Sequence, residues 1–267
     1  MEYRQFFALK KEPFSNDISH RDLMELPDMV GIKSRILYGL EVGGFVLITG
    51  EVGSGKSTSL RWSMSSFHPS EVLIAQVVGQ SGHLGEILKS IALAIGVPAE
   101  SASRTKLMNE LKSAIREIVT ARKQKVLIVI DECHLLRSEV FAELHTLTQY
   151  DLDSKNMATV VMCGQTSLID KLSLRSSAPL TSRVIAKTHL QPLDRKLLAE
   201  YIVHHLKVAG CKHNLFDEAA MTAIYQGSGG ILRKANFLAR GGLMAACAQK
   251  EQTVNAEHIR IASSELL

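Results

Sequence analysis

Phe45-Val46-Leu47-Ile48-Thr49-Gly50-Glu51-Val52-Gly53-Ser54-Gly55-Lys56-Ser57-Thr58 is the stretch that decides the fold. Four apolar residues, enough for a buried strand, run into a glycine, and Gly50 to Ser57 then spell G-x-x-x-x-G-K-S, a phosphate-binding loop. The glycines open backbone conformations closed to other residues, so successive N–H groups can point inward at an anion. A helix expected from Lys56 to about Phe67 adds its positive N-terminal end. In this motif Lys56 supplies a mobile cation to the β- and γ-phosphates and the Ser57 hydroxyl is a Mg²⁺ ligand. Gly50, Glu51, Val52, Gly53, Ser54, Gly55 and Thr58 complete the cradle. Strand, loop and helix occur in the required order, so the stretch reads as a nucleoside triphosphate site rather than a Gly-rich turn ending in Lys-Ser.

Working outward, Val126-Leu127-Ile128-Val129-Ile130 runs into Asp131-Glu132. Five β-prone apolar residues ending in two acids match the second motif of such proteins. The strand end puts Asp131 near the metal and Glu132 where a water stands in line with the γ-phosphate. Two further apolar runs, Val72–Val78 and Thr159–Cys163, and a fifth from Val184 to Leu190 predict strands. Helical spacing separates them: Met29–Leu40, Leu84–Ile95, the region from Leu107 to Val119, and Glu139–Tyr150. Strands alternating with helices imply an α/β fold with a parallel five-stranded sheet covered on both faces. Beyond Pro192 the patterns are helical throughout (Asp194–Ala209, Asp217–Gln226, Ile231–Gln249, Ala256–Leu266). The expected divisions are therefore 1–44, an N-terminal docking segment and helix; 45–191, the α/β core; and 192–267, a small all-helical domain. In the first of these, Phe6–Phe14 reads as an irregular segment whose aromatics dock on a core. At the end of the fourth strand Gln165 offers a polar side chain that can reach a γ-phosphate or an attacking water.

At 267 residues, 46% hydrophobic and 22% charged, the chain has ordinary globular composition. No apolar run approaches the ~20 residues of a membrane span, and Met1–Phe7 lacks the pattern of a signal peptide, so a cytoplasmic protein without a membrane partner is expected. Cys133, Cys163, Cys211 and Cys247 lack C-x-x-C spacing and read as reduced, buried thiols rather than metal ligands. Net charge is only +4. Residues 101–125, however, hold Arg104, Lys106, Lys112, Arg116, Arg122, Lys123 and Lys125 against Glu110 and Glu117. That run is either a solvated helix face or a phosphate-backbone footprint.

Taken together, these residues resemble an AAA+ ATPase across nearly the whole chain, and that resemblance implies ATP and Mg²⁺ as ligands. Gln165 falls where that family places its sensor-1 residue. Ser182-Arg183 resembles an arginine-finger pair, with Arg175 as a rival, and Gly229-Gly230-Ile231-Leu232-Arg233 resembles the sensor-2 pattern of a helical lid. Phe6–Phe14 and the phosphate loop are similar to the ExeA-like branch, which itself resembles the transposition regulators IstB, TnsC and MuB. The resemblance implies ATP held between core and lid by Lys56, Ser57, Asp131 and Arg233. It also implies hydrolysis through Glu132 and Gln165, and a homo-oligomeric ring or filament in which Arg183 reaches a neighbour.

What the resemblance favours is the transposition side, a helper that assembles on duplex DNA with ATP and recruits or stimulates a DDE transposase, with the ExeA-like side as the alternative. DNA contacts then map to Gln80, Ser81 and His83 and to Ser101, Ser103, Arg104 and Lys106, with His83 also explicable as an incidental loop histidine. The ExeA-like side implies instead an ATPase assisting a secretion or envelope complex. A helicase, suggested by Asp131-Glu132-Cys133-His134, is excluded, because such enzymes need two motor domains and one sheet's worth of strands is present.

Overall fold

The structure, a computed structural model, describes residues 2–15, 17–99, 103–151 and 155–265. In chain order its elements are α1 (Glu2–Phe6), α2 (Pro27–Val42), β1 (Gly44–Gly50), α3 (Lys56–Met64), β2 (Val72–Val78), α4 (Leu84–Ile95), α5 (Arg104–Thr120), β3 (Lys125–Asp131), α6 (Ser138–Leu144), β4 (Thr159–Gly164), α7 (Ser167–Leu172), α8 (Ala178–Thr181), β5 (Val184–Leu190), α9 (Arg195–Val208), α10 (Glu218–Ser228), α11 (Leu232–Ala248) and α12 (Ala256–Ser264). They form two compact units. One comprises residues 26–52 and 56–190; the other joins residues 1–25, 53–55 and 191–267.

The first unit is built on a five-stranded sheet in the order β2-β3-β4-β1-β5, with every pairing parallel. Every residue of β1 is buried, as a central strand with both faces covered requires. The pleat divides the apolar residues between two layers. Phe45, Leu47, Val126, Ile128, Ile130, Val160 and Met162 pack with α4, α5 and α6. Their alternates Val46, Ile48, Leu127, Val129, Val161 and Cys163 pack with Ile32 and Ile36 of α2 and Leu60 of α3. Because all strands run the same way, β1, β3 and β4 end on one edge, the edge where open α/β sheets carry their ligands. Gly79 lies at the mouth of that edge. Its N–H donates to the Asp131 carbonyl at 2.7 Å, and a Cβ there would stand 2.8 Å from the Glu132 carbonyl oxygen.

The helices α1, α7 and α8 have no counterpart in the sequence expectation, and three of the expected helices change their bounds for local reasons. The first, α2, begins at Pro27, which occupies the first turn, where a missing N–H costs nothing. Next, α3 stops at Met64 rather than Phe67, as the Ser63, Ser65 and Ser66 hydroxyls turn back onto carbonyls three and four residues earlier. The helix expected from Glu139 to Tyr150 gives way after Leu144 to a 3-10 turn, where Thr146 and Thr148 bond the Glu143 and His145 carbonyls.

The second unit is helical. Asp194, Asp217 and Asn255 cap α9, α10 and α12 with side-chain acceptors. The N-terminal segment completes its core: Tyr3, Phe7, Leu9 and Phe14 are buried among residues of α9 to α12. Polar ties fix the segment. His205 donates from Nδ1 to the Pro13 carbonyl at 2.7 Å, Lys10 N–H reaches the Ala209 carbonyl at 2.8 Å, and Arg240 meets both Glu12 and the Phe14 carbonyl. Among the described residues no helix is long and apolar enough to cross a membrane.

Candidate functional site

The phosphate loop takes the backbone its glycines permit, with φ of +83° at Gly53 and +95° at Gly55. Lys56 opens α3, and its side chain is turned inward; the residue is only 8% exposed. Its ammonium donates to the Gly50 and Glu51 carbonyls, both at 2.9 Å. Ser57 follows, and its hydroxyl donates to Asp131 Oδ2 at 2.8 Å. The other carboxylate oxygen of Asp131 accepts the Glu132 N–H at 2.8 Å. Two residues 74 positions apart thus meet because β1 and β3 end side by side around β4.

The donor set suits the ligands it would take. A hydroxyl and a carboxylate are hard oxygen donors of the kind Mg²⁺ uses alongside phosphate oxygens. Within the loop the buried Ser54 hydroxyl has no hydrogen-bond partner among the described residues, which leaves a donor open to a ligand. Among the described residues no cluster of His, Cys, Asp and Glu forms a metal site of its own.

Glu132 has φ of +53° and ψ of +34°, a left-handed backbone that few non-glycine residues adopt and that recurs at functional sites. Gln165 follows the last residue of β4, and the adjacent Thr166 hydroxyl donates to the Glu51 carboxylate at 3.2 Å, tying the β4 end to the phosphate loop. The buried Cys163 thiol lies against Asp131. Burial first, and then that carboxylate, hold it protonated far above the usual thiol range. Burial does the same for Cys133. All four cysteines are free thiols; Cys133, Cys163 and Cys211 are buried as expected, whereas Cys247 is half-buried.

The remaining expected residues are dispersed. Arg183 lies at the start of β5, its carbonyl accepting from Phe45 N at the opposite end of β1 from the loop. A seven-residue strand spans about 20 Å, so Arg183 does not reach the phosphate loop of its own chain. Arg233 heads α11 and is exposed, with its N–H donating to the Gly53 carbonyl at 3.1 Å. Gln80, Ser81 and His83 form the exposed loop between β2 and α4. Ser103 caps α5, whereas Ser101 lies outside the described residues. Among the described residues, five of the seven basic residues in 101–125 have acid partners: Arg104 with Glu143, Lys106 with Glu110, Arg116 with Asp151, Arg122 with Glu117 and Lys125 with Glu41. Three of those acids lie outside the segment.

Sequence reasoning missed Arg137, whose guanidinium donates to the Ser81 carbonyl at 3.0 Å and stands 3.3 Å from His83 Nε2. It also missed His134 as a neighbour of Glu132, with 3.3 Å between Nδ1 and Oε2. The tetrad Asp131–His134 showed the two residues as near neighbours in sequence, but not the left-handed backbone at Glu132 that precedes the 3-10 turn.

General secretion pathway protein A of Aeromonas hydrophila is 32% identical over 266 residues, covering 99% of this chain and 48% of that protein. The chain therefore spans about half the length of this curated relative, which stands on the ExeA-like side of the resemblance. Among solved structures, Cdc6p from Pyrobaculum aerophilum matches with a TM-score of 0.73 at 16% identity, over 96% of this chain and 70% of that one. The Aeropyrum pernix ORC1 protein, solved in complex with DNA, matches with a TM-score of 0.68 at 18% identity, over 95% and 68%. At such identities the structural likeness speaks for the fold. Residues 40–172 match the AAA domain, and with the five-stranded parallel sheet and phosphate loop this gives the chain the α/β P-loop fold of AAA proteins.

Proposed function

We propose that the chain binds ATP and hydrolyses it to ADP and phosphate, using the cycle to form and dissolve a homo-oligomer on a partner. The observation that carries this reading is the Ser57 hydroxyl on the Asp131 carboxylate at 2.8 Å, with Glu132 next in sequence. In this reading the N–H groups of Gly50–Thr58 hold the phosphates, and Lys56 turns its ammonium from two carbonyls to the β- and γ-phosphates. Glu132 accepts a proton from the water that attacks the γ-phosphorus, Gln165 orients that water, and the bond to the ADP oxygen breaks. Mg²⁺, held by Ser57 and Asp131, would neutralise charge developing on the phosphate oxygens. Arg233, tied through its backbone to Gly53, adds a cation for the nucleotide. Arg183, remote from its own loop, offers its planar fork of donors to a neighbouring subunit.

The similarity to a secretion-pathway protein over nearly the whole chain supports an assembly ATPase acting on an envelope or secretion complex. A second reading, a transposition regulator that assembles on duplex DNA and stimulates a DDE transposase, draws on the exposed Gln80–His83 loop and the Ser103–Lys106 helix start. The ion pairing along α5 weighs against it.

The test is ATP affinity and turnover in Lys56→Ala and Glu132→Gln, with duplex binding followed in parallel. Lys56→Ala is expected to lose nucleotide binding. Glu132→Gln keeps affinity and loses about 10²–10⁴-fold in turnover, the range for removing a positioned base. Unchanged turnover in Glu132→Gln overturns the hydrolysis reading. ATP-dependent duplex binding that weakens steeply with salt would replace the secretion reading with the DNA one.

A further inference from the structure

We propose that His134 is a positioning residue that couples Glu132 to Gln165 through a single ring nitrogen. The inference deepens the ATPase reading and rests on it. His134 Nδ1 stands 3.3 Å from Glu132 Oε2 and accepts the backbone N–H of Gln165 at 3.4 Å. A neutral imidazole nitrogen carries either a proton or a lone pair. With the proton, Nδ1 donates to the Glu132 carboxylate and holds it; with the lone pair, it accepts from Gln165 and leaves the carboxylate free. It cannot do both. The two groups assigned to the attacking water therefore compete for one atom, and a movement of the β4 end toward or away from the ring changes what holds Glu132.

The ring is well placed for this role. His134 is one-tenth exposed, against 42% for Glu132, so little water competes for Nδ1. Its backbone is fixed because Lys171 Nζ donates to both the His134 and the Leu136 carbonyls. Arg137, one residue beyond, is anchored on the Ser81 carbonyl. Glu132, in contrast, sits in a left-handed backbone, where the direction of its side chain depends on what its neighbours enforce.

The experiment compares His134→Leu with His134→Asn in the full chain, reading kcat, KM for ATP, nucleotide affinity and thermal midpoint. The leucine keeps the bulk and removes both hydrogen-bonding roles; the asparagine amide can donate or accept. His134→Leu is expected to lose about 10–100-fold in kcat, the range seen when an orienting partner is removed, with KM and affinity within about twofold. His134→Asn should recover part of that loss, and adding His134→Leu to Glu132→Gln should lower turnover no further, since both act on one group. Wild-type kcat in His134→Leu overturns the inference while leaving the ATPase reading intact, and so does a loss shared equally by affinity and thermal midpoint. Absence of turnover in the wild-type chain overturns both.

Discussion

The sheet unit buries apolar strands such as Phe45–Ile48 and Val126–Ile130, and among its described residues the one buried charged side chain is Lys56, at the phosphate loop. The helical unit buries two imidazoles, His205 and His258, and both serve its own hydrogen bonding. His258 closes a capping box at the start of α12, accepting from Asn255 N–H and meeting Gln249. His205 ties α9 to Pro13 and stacks on Phe14 with 5.8 Å between ring centroids. Buried polarity thus has two meanings in one chain. In the sheet unit, hydrogen-bonded strands need no side-chain help, and a buried cation marks a place for a ligand. In the helical unit, an irregular N-terminal segment has no ladder to join, so side chains make its hydrogen bonds.

The strongest way to break this comparison is to remove the segment's anchor. Phe14 is fully buried, and Phe14→Ala is expected to cost about 3–5 kcal/mol, as for other buried aromatics. Hydrogen exchange would locate the loss. Amides of α9 and α11 should lose protection while those of β1, β3 and β4 keep theirs, and an equal loss in the strands would mean that the two interiors are not separately organised.

A smaller effect comes from pH. Burial, foremost, lowers the His205 pKa from its ordinary 6.5 to about 4; its Nδ1 donates to Pro13 and its Nε2 has no partner for a second proton. The unfolded chain therefore binds the extra proton first. The stabilisation is complete above about pH 6.5 and is lost as pH falls toward 4, amounting to about 2 kcal/mol between pH 7 and pH 5. Urea unfolding at the two pH values should show that loss and His205→Gln should reduce it; an undiminished slope in the variant assigns it to other groups.

The smallest effect is expected at the surface. The Arg104–Glu143 pair is about half exposed on both sides, so Arg104→Ala should change stability by less than ~1 kcal/mol. A larger change by urea unfolding would show that the α5 charges are part of the packing.

What could be read from the sequence follows the same division. The phosphate loop, Asp131-Glu132 and the alternation of strands and helices are local patterns, and chain order alone carries them. That Phe6–Phe14 docks on a core was also legible, but not that the core is the helical one, because its partners in α9 and α11 lie some 190 or more residues away. The basic run at 101–125 left two readings open for a related reason. Part of its local excess of charge is met by Glu41, Glu143 and Asp151, which the fold and not the sequence neighbourhood brings near. His134 was visible as a residue type, but its contact with Gln165 N–H exists only because β3 and β4 are adjacent in the sheet.

Residues 1–25 are made well before residues 191–267, yet they share one interior. During synthesis Tyr3, Phe7, Leu9 and Phe14 emerge with no surface to settle on until about 165 further residues have been translated. At ordinary rates of elongation that interval is on the order of ten to thirty seconds. For that time the nascent chain displays a short apolar ribbon of the kind that chaperones and other exposed surfaces capture. Completion of α9 to α11 ends the exposure, so a later segment protects an earlier one.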